Sequence, residues 1–220
     1  MSEWRQRLAR RFIVIDGPDG AGKGTQIRLL AEFLSSQGVE LCLARDPGGT
    51  AVGERIRAIL LDKAHEGMSV QCELMLYMAS RAQLAAEVLR PALAAGKCVL
   101  CDRYISSTVA YQGAGGVDPA DVKAVADVAV GGLWPDLTVI LDIASDAGLA
   151  RVGTSRRAGG PDRMESKTAA FHRKVRELFL KQAADEPDRF TVVDAAGTMD
   201  EVQQRLRHAI HSWRFRDSGA

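Results

Sequence analysis

The chain has 220 residues, of which 46% are hydrophobic, and its formal net charge is +1. This length predicts one large domain, or one domain with a mobile insert, with enough apolar residues for a sizeable core. The near-neutral charge argues against binding nucleic acid through its phosphates, and no apolar run approaches the ~20 residues needed to cross a bilayer. The basic N-terminus, MSEWRQRLARR, lacks the apolar segment of a signal peptide. We therefore expect a soluble, cytoplasmic protein.

Short apolar runs alternate with segments of helical periodicity along the whole chain. The candidate strands are residues 12–15, 39–44, 98–101, 137–141 and 190–193. The candidate helices are residues 23–37, 52–61, 69–95, 119–130, 164–184 and 199–213. Nearly continuous apolar strands separated by helices are typical of a parallel sheet covered on both faces. The sequence thus predicts an α/β fold, whose ligands bind beyond the carboxyl ends of the strands.

The first strand leads directly into DGPDGAGKGTQ, residues 16–26. Gly17, Gly22 and Lys23 match the spacing G-x-x-x-x-G-K of a phosphate-binding loop between a strand and a helix. Glycines allow consecutive N–H groups to face an anion, and the helix N-terminus and the lysine add positive charge. We expect the nucleotide phosphates to contact the whole loop, which consists of Gly17, Pro18, Asp19, Gly20, Ala21, Gly22, Lys23, Gly24 and Thr25.

One position departs from the usual loop. The residue after the lysine, which is usually a Ser or Thr that binds Mg²⁺, is Gly24 here, and Thr25 follows it. Thr25 is therefore a candidate metal contact, either direct or through water. Asp102, which closes the third strand, is a second candidate because carboxylates can hold the waters of the ion. Asp142 closes the fourth strand and competes for that role, although an aspartate in this position can also cap a helix.

Two other patterns in the sequence could indicate a metal site. Cys98 and Cys101 form a C-x-x-C pair, but residues three apart on a strand point to opposite faces and could not share one ion. We predict that both are small buried hydrophobes. His208 and His211 lie three apart on a candidate helix without further ligands, and we expect them to be solvated.

The segment GTSRRAGGPDR, residues 153–163, is polar, glycine-rich and basic between two candidate helices. This composition predicts a mobile loop. A small P-loop fold with a basic loop after its fourth strand suggests a nucleoside monophosphate kinase, because phosphoryl transfer needs cations around the transferred group and exclusion of water. The chain has no guanine-reading N-K-x-D element, which argues against a GTPase.

Six motifs, in chain order, resemble those of the thymidylate kinase family: IDGPDGAGKGTQ, RDPGGT, LYMASRAQL, DRYISSTVAYQG, WPDLTVILDI and DRMES. The resemblance covers nearly all of the chain. Asp46 replaces the family's more usual Glu, and Tyr77 replaces the usual Phe. The resemblance implies one domain with the P-loop kinase fold: a five-stranded parallel sheet of order 2-3-1-4-5, helices on both faces, and a short lid at about 153–163. It also implies ATP and dTMP as substrates in dTTP biosynthesis, Mg²⁺ as cofactor, and a homodimer.

The same resemblance implies how the substrate is held. Arg45 and Arg103 would grip the phosphate of dTMP, a task that suits guanidinium forks. Pro47 would form part of the wall of that pocket. Tyr77 would stack on thymine, and Arg81, one helical turn later on the same face, would hydrogen-bond to the base.

A further group is implied to line this pocket. Its members are Ser107, Thr108, Tyr111 and Gln112. In the family, the positions of Thr108 and Gln112 contact the base, while that of Tyr111 abuts the sugar where a ribose 2′-hydroxyl would fall. Asp19 matches a carboxylate near the sugar 3′-hydroxyl.

The loop motif contains no arginine, so the chain resembles the bacterial, lid-arginine type of the family. Lys23 and Arg103, together with either Arg156 or Arg157, would then stabilise the transferred phosphoryl group, and such a lid arginine contributes roughly 10³–10⁵ in rate. Arg151 and Arg163 belong to the same basic region, and Arg151 would contact the donor nucleotide. Asp162 and Glu165 are expected to orient the lid arginines by ion pairing.

Two alternatives to this function stay open. The first is a nucleotide kinase that acts on another monophosphate or on a deoxynucleoside. The second is a nucleotide-binding regulator that keeps the loop but has lost turnover; only the departures at Gly24 and Asp46 favour it.

Overall fold

The computed structural model describes residues 2–154 and 162–215. Within these ranges the strands are β1 (Phe12–Asp16), β2 (Leu41–Arg45), β3 (Cys98–Asp102), β4 (Leu137–Asp142) and β5 (Phe190–Asp194). Every neighbouring pair is parallel, and the strands lie in the order β2-β3-β1-β4-β5. The predicted α/β class, the parallel sheet and its strand order are thus confirmed.

The helices of the described residues are α1 (Glu3–Leu8), α2 (Lys23–Ser36), α3 (Ala51–Leu61), α4 (Val70–Leu84), α5 (Arg90–Ala94), α6 (Ile105–Ala114), α7 (Pro119–Val130), α8 (Ser145–Thr154), α9 (Ala169–Asp185) and α10 (Met199–Ser212). None of the predicted helices covers α1, α6 or α8. Helix α6 is buried along most of its length, so it has no polar face to produce an amphipathic pattern. Helix α9 begins five residues later than predicted, where the side chain of Thr168 caps it.

The long predicted helix over 69–95 consists of three segments. A π-helical turn, Ala85–Leu89, joins α4 to α5 just before Pro91. Proline has no N–H to donate, and its ring crowds the carbonyl four residues earlier, so a regular α-helix cannot continue through it. The wider turn accommodates the ring while the helix axis carries on.

The sheet lies between two apolar layers. On one face it packs against α2 and α10, and on the other against α4, α6 and α7. Cys98 belongs to the first layer and Cys101 to the second, and both thiols are free, as expected for opposite faces of one strand. Among the described residues, no group of three His, Cys, Asp or Glu side chains is arranged so that it could hold an ion.

Helix α10 carries the two histidines that lie three residues apart in the sequence. His208 and His211 are both exposed, as predicted, and His211 Nε2 also lies 3.1 Å from a carboxylate oxygen of Glu3. Among the described residues, no helix is both long enough and apolar enough to span a membrane.

At the carboxyl edge of the sheet, every strand ends in a charged residue, and this edge carries the candidate site.

Candidate active site

A cavity of about 650 Å³ lies at the carboxyl edge of the sheet. The phosphate-binding loop contributes to its wall, together with side chains of α3, α4, α6 and α8 and the segment after residue 161. The lining residues singled out from the sequence are Asp19, Gly20, Gly22, Lys23, Gly24, Thr25, Pro47, Tyr77, Arg81, Asp102, Arg103, Ser107, Thr108, Tyr111, Gln112, Arg151, Asp162 and Glu165. Most of the predicted residues therefore meet in one space.

The phosphate-binding loop depends on its glycines. Gly17 and Gly20 have φ values of 133° and 77°, in the left-handed region that favours glycine. A Cβ atom at Gly17 would collide with the backbone oxygen of Leu141, and one at Gly20 with that of Gly148. The loop is thus pressed against β4 on one side and α8 on the other, with its amides held in place.

Lys23 is buried at the start of α2. Its Nζ donates to the carbonyl oxygens of Gly17 and Pro18, each at 2.9 Å. Burial and the nearby Arg103 guanidinium lower the pKa of Lys23 to about 8, and Asp19 offsets this only in part. An anionic phosphate would therefore find a lysine whose charge is poorly compensated by the protein alone.

Arg103 enters the cavity because the backbone turns sharply after β3. Its φ is 66°, an unusual value for a residue with a Cβ. Its guanidinium lies 2.5 Å from Asp19 Oδ1 and donates to Ser107 Oγ at 3.0 Å. The buried Asp16 lies 3.5 Å away and also accepts hydrogen bonds from Ser106, Ser107 and Gly17. Carboxylate and hydroxyl groups on several sides thus hold one arginine at the end of the sheet.

Asp19 connects the loop to α6. Its Oδ2 accepts from the Tyr111 hydroxyl at 2.7 Å, and the Tyr111 ring lies 5.2 Å from the Arg103 Cζ. Burial alone would raise the pKa of Asp19, but Arg103, Lys23 and the Tyr111 hydrogen bond together lower it. Burial raises the pKa of Tyr111 well above its usual value, so this hydroxyl stays a hydrogen-bond donor.

Of the two α4 residues expected to contact the base, Arg81 is buried and Tyr77 is partly buried. Arg81 Nε lies 2.5 Å from Asp46 Oδ2, its Nη2 donates to Thr108 Oγ1 at 2.9 Å and to Tyr104 O at 3.2 Å, and its Nη1 faces Met78 Sδ. A guanidinium has five N–H groups, so one is left over. Burial raises the pKa of Asp46, against the effect of Arg81, and its Oδ1 has no hydrogen-bond partner.

Gln112 is held by a residue that the sequence analysis did not find. Its Nε2 donates to Glu73 Oε1 at 2.7 Å, while its Oε1 is buried and has no partner. The other oxygen of Glu73 forms an ion pair with Arg163. Arg163 is 2% exposed and donates from Nε to Leu60 O at 2.7 Å. Arg163 is therefore a structural contact and not a free lid arginine.

Arg45 does not point into the cleft as expected. Its side chain is half exposed and its Nη2 lies 2.8 Å from Glu54 Oε1, outside the cavity wall. Arg57 of α3 lines the cavity instead and donates from Nη1 to Pro47 O at 2.9 Å. No motif marks Arg57, because its position depends on how α3 begins at the Thr50 cap.

Asp102 and Asp142, the two aspartates considered as metal contacts, differ in their surroundings. Asp142 accepts two hydrogen bonds from Arg176, at 2.7 and 2.8 Å, and does not line the cavity. Asp102 does line it, and its buried Oδ1 has no partner. Thr25 lies on the same cavity wall. Asp102 and Thr25 thus fit a metal contact, whereas Asp142 fastens α9 to β4.

Part of the lid region can be placed. Arg151, near the end of α8, lines the cavity, with its Nη1 3.5 Å from Gly20 O. Asp162 Oδ1 accepts from the amides of Met164 and Glu165, and its own amide donates to Glu165 Oε2, so the two acidic residues close one turn. Arg156 and Arg157 lie outside the described residues.

A P-loop, a parallel sheet of this order, and a second set of cations and polar side chains in the same cavity define a P-loop nucleotide kinase. The family model for thymidylate kinase matches residues 15–206. The chain belongs to the thymidylate kinase family.

Individual relatives agree with this assignment. A thymidylate kinase of Pseudomonas fluorescens is 49% identical over 196 residues, which is 89% of this chain and 92% of the relative. One of Geotalea uraniireducens is 44% identical over 203 residues, covering 90% and 95% of the two chains. The crystal structure of thymidylate kinase from Ehrlichia chaffeensis superimposes with a TM-score of 0.72 at 30% identity, covering 91% of this chain and 98% of that one.

Proposed function

We propose that the protein transfers the γ-phosphoryl group of ATP to dTMP, giving dTDP for dTTP synthesis. Family membership and the names of the relatives support the reaction. The observation that carries it is that Lys23 of the loop and the arginines Arg57 and Arg103 line one continuous cavity. A donor phosphate bound at Lys23 and an acceptor phosphate bound at Arg57 and Arg103 would then face each other.

No side chain needs to act as a strong base, because the attacking phosphate oxygen of a nucleoside monophosphate is already ionised. The chain's contribution is positioning and charge stabilisation. The amides of the loop and Lys23 hold the donor phosphates, and Lys23 exchanges its two carbonyl partners for phosphate oxygens. Arg57 and Arg103 hold the acceptor phosphate. Arg151 and the lid arginines Arg156 and Arg157 complete the cationic surroundings and exclude water.

The base pocket offers one acceptor and one donor. The unpartnered Oε1 of Gln112 accepts, and the N–H of Arg81 that is left over donates. The imide edge of thymine, with N3–H beside a carbonyl oxygen, is complementary to this pair. Tyr77 supplies a ring for stacking. Tyr111 packs against the sugar and excludes a 2′-hydroxyl, and Asp19 accepts from the 3′-hydroxyl.

Mg²⁺ is the metal that fits the donor set, because hard oxygen ligands and a wet cavity suit an ion that keeps most of its waters. The buried, unpartnered Oδ1 of Asp102 and the hydroxyl of Thr25 are the groups that would hold it, directly or through water. When bound, the ion supplies positive charge to the phosphate oxygens.

We also propose a homodimer that acts in the cytoplasm, with one kinase domain per chain and a lid at about 153–163. Large apolar side chains are exposed on three neighbouring helices: Val52 and Ile59 on α3, Met75 on α4, and Val128 on α7. A second copy of the chain would cover them. Sedimentation velocity should give a dimer, and Val128→Lys should shift it towards monomer.

A coupled assay of ADP release tests the function. Turnover should depend on dTMP and exceed that with dUMP or AMP. If dUMP or AMP were turned over faster than dTMP, the protein would be a different nucleotide kinase. ATP binding without any dTMP-dependent ADP would identify a regulator that has lost turnover.

A further inference from the structure

Glu73 lies one helical turn before Tyr77 and is buried between two partners. Its Oε1 accepts from Gln112 Nε2 at 2.7 Å, and its Oε2 is ion-paired with Arg163. Glu73, Gln112 and Arg163 are 6%, 1% and 2% exposed, so water does not compete for these contacts. Arg163, Glu73 and Gln112 thus form a continuous chain of contacts from the end of the lid segment to the base pocket, which we call the Glu73 relay.

The relay determines which way round the Gln112 amide lies. A carboxylate can only accept hydrogen bonds, so the amide must turn its nitrogen towards Glu73. Its oxygen then faces away, and this atom is buried without a partner in a side chain that lines the cavity. A buried acceptor without a partner costs free energy until a ligand donor fills it.

We propose that Glu73 is a positioning residue for base selection. By fixing the Gln112 oxygen towards the cavity, it makes the pocket accept bases that carry a proton on ring N3, such as thymine and uracil. The same arrangement rejects cytosine, whose N3 is an acceptor. Arg163, at the end of the proposed lid, holds Glu73 in place, so recognition of the base depends on how the lid segment ends. This inference rests on the proposed function.

The substitution Glu73→Gln tests the polarity of the relay. Arg163 still needs an acceptor, so the new carboxamide turns its oxygen to Arg163 and its nitrogen to Gln112. The Gln112 amide then reverses and presents N–H groups to the cavity. We expect kcat/KM for dTMP to fall about tenfold or more, mainly through KM, because a buried polar mismatch is costly. The preference for dTMP over dCMP should fall by a similar factor.

The ratio of kcat/KM for dTMP to that for dUMP distinguishes a reversed Gln112 amide from a pocket that is merely loosened. dUMP shares N3–H with dTMP, so Glu73→Gln should lower both together and leave their ratio unchanged. Only the ratios against dCMP should change. The matched control is Glu87→Gln, which makes the same carboxylate-to-amide change at a similar contact, Gln83 Nε2 to Glu87 Oε2 at 2.8 Å, but on the exposed surface of the π-helical turn after α4. It should leave all three ratios unchanged.

Glu73→Gln leaves the buried Arg163 without a counter-charge, which threatens folding. The double variant Glu73→Gln/Arg163→Met removes both charges. In it the Gln112 amide has no imposed orientation, so the dTMP-over-dCMP ratio should lie between those of the wild type and the single variant. A wild-type ratio in either folded variant overturns the inference. Wild-type protein without dTMP-dependent ADP release would instead overturn the proposed function.

Discussion

Arg103 Nη2 lies 2.5 Å from Asp19 Oδ1, although the two residues belong to different strand-end loops. The contact ties the arginine expected at the acceptor phosphate to the loop expected at the donor phosphates. The same carboxylate accepts from the Tyr111 hydroxyl, which lies beside the expected sugar site. One ion pair thus sets the spacing between the two halves of the cavity.

Arg103→Met should lower kcat/KM for dTMP by about 10²–10³-fold, because it removes a cation that stabilises charge in the transition state. Steady-state kinetics measures this. Arg45→Met is the matched control, since Arg45 is half exposed and pairs with Glu54 outside the cavity. Exposed pairs of this kind contribute little, so its kcat/KM should stay within about threefold of wild type. A larger loss in Arg45→Met than in Arg103→Met would contradict the assignment.

Tyr111 should select deoxyribose through its ring and position Asp19 through its hydroxyl. Tyr111→Ala should narrow the gap in kcat/KM between dTMP and its ribose analogue. Tyr111→Phe keeps the ring and loses the contacts of the hydroxyl, which donates to Asp19 at 2.7 Å and accepts from Arg103 Nη2 at 3.5 Å, so it should keep the gap while lowering both rates. An unchanged ratio in Tyr111→Ala would refute the steric role.

Binding of ATP should change the protonation of Lys23. Its pKa is about 8 in the free protein, so about half of the molecules lack the proton at pH 8. Phosphate charge raises the pKa of Lys23 again, so at pH 8 binding should take up about half a proton more in the wild type than in Lys23→Arg, which is always charged. Calorimetry in buffers of different ionisation enthalpy measures the uptake. At pH 6.5, where phosphate groups themselves titrate, the wild type and Lys23→Arg should exchange nearly the same number of protons.

Asp102 and Asp142 should separate in their dependence on Mg²⁺. Asp102→Asn should raise the Mg²⁺ concentration needed for half-maximal turnover, because its unpartnered oxygen lines the cavity. Asp142→Asn should leave that requirement unchanged and lower the free energy of unfolding by about 1 kcal/mol, since it weakens a partly exposed pair with Arg176. The reverse pattern, in magnesium titrations and denaturant unfolding, would assign the metal to Asp142.

The sequence was informative where a residue's role follows from the position of a strand end. The loop motif and the periodicity predicted the loop around Lys23 and the parallel sheet, and the family resemblance implied most of the cavity wall. They could not predict the direction of a side chain at a strand end. Arg45 is the last residue of β2 and stays outside the cavity, whereas Arg103 follows the end of β3, where its left-handed backbone turns it into the cavity.

Contacts between distant parts of the chain were also beyond the pattern. Glu73 and Arg163 meet because α4 packs against the end of the lid segment. The sequence does not reveal this contact, and there Arg163 resembles the other lid arginines. Asp16 gathers Gly17, Ser106 and Ser107, but in the sequence it is simply the last residue of a strand. Helix α6 was missed because burial on all sides removes the amphipathic period.

A crystal structure with dTMP and a non-hydrolysable ATP analogue tests the central claim most directly. The account predicts that thymine lies against Tyr77 and Gln112, that the donor phosphates lie at Lys23, and that the acceptor oxygen lies within about 3–3.5 Å of the γ-phosphorus. Either nucleotide bound outside this cavity, or reacting atoms held well beyond that separation, would contradict it.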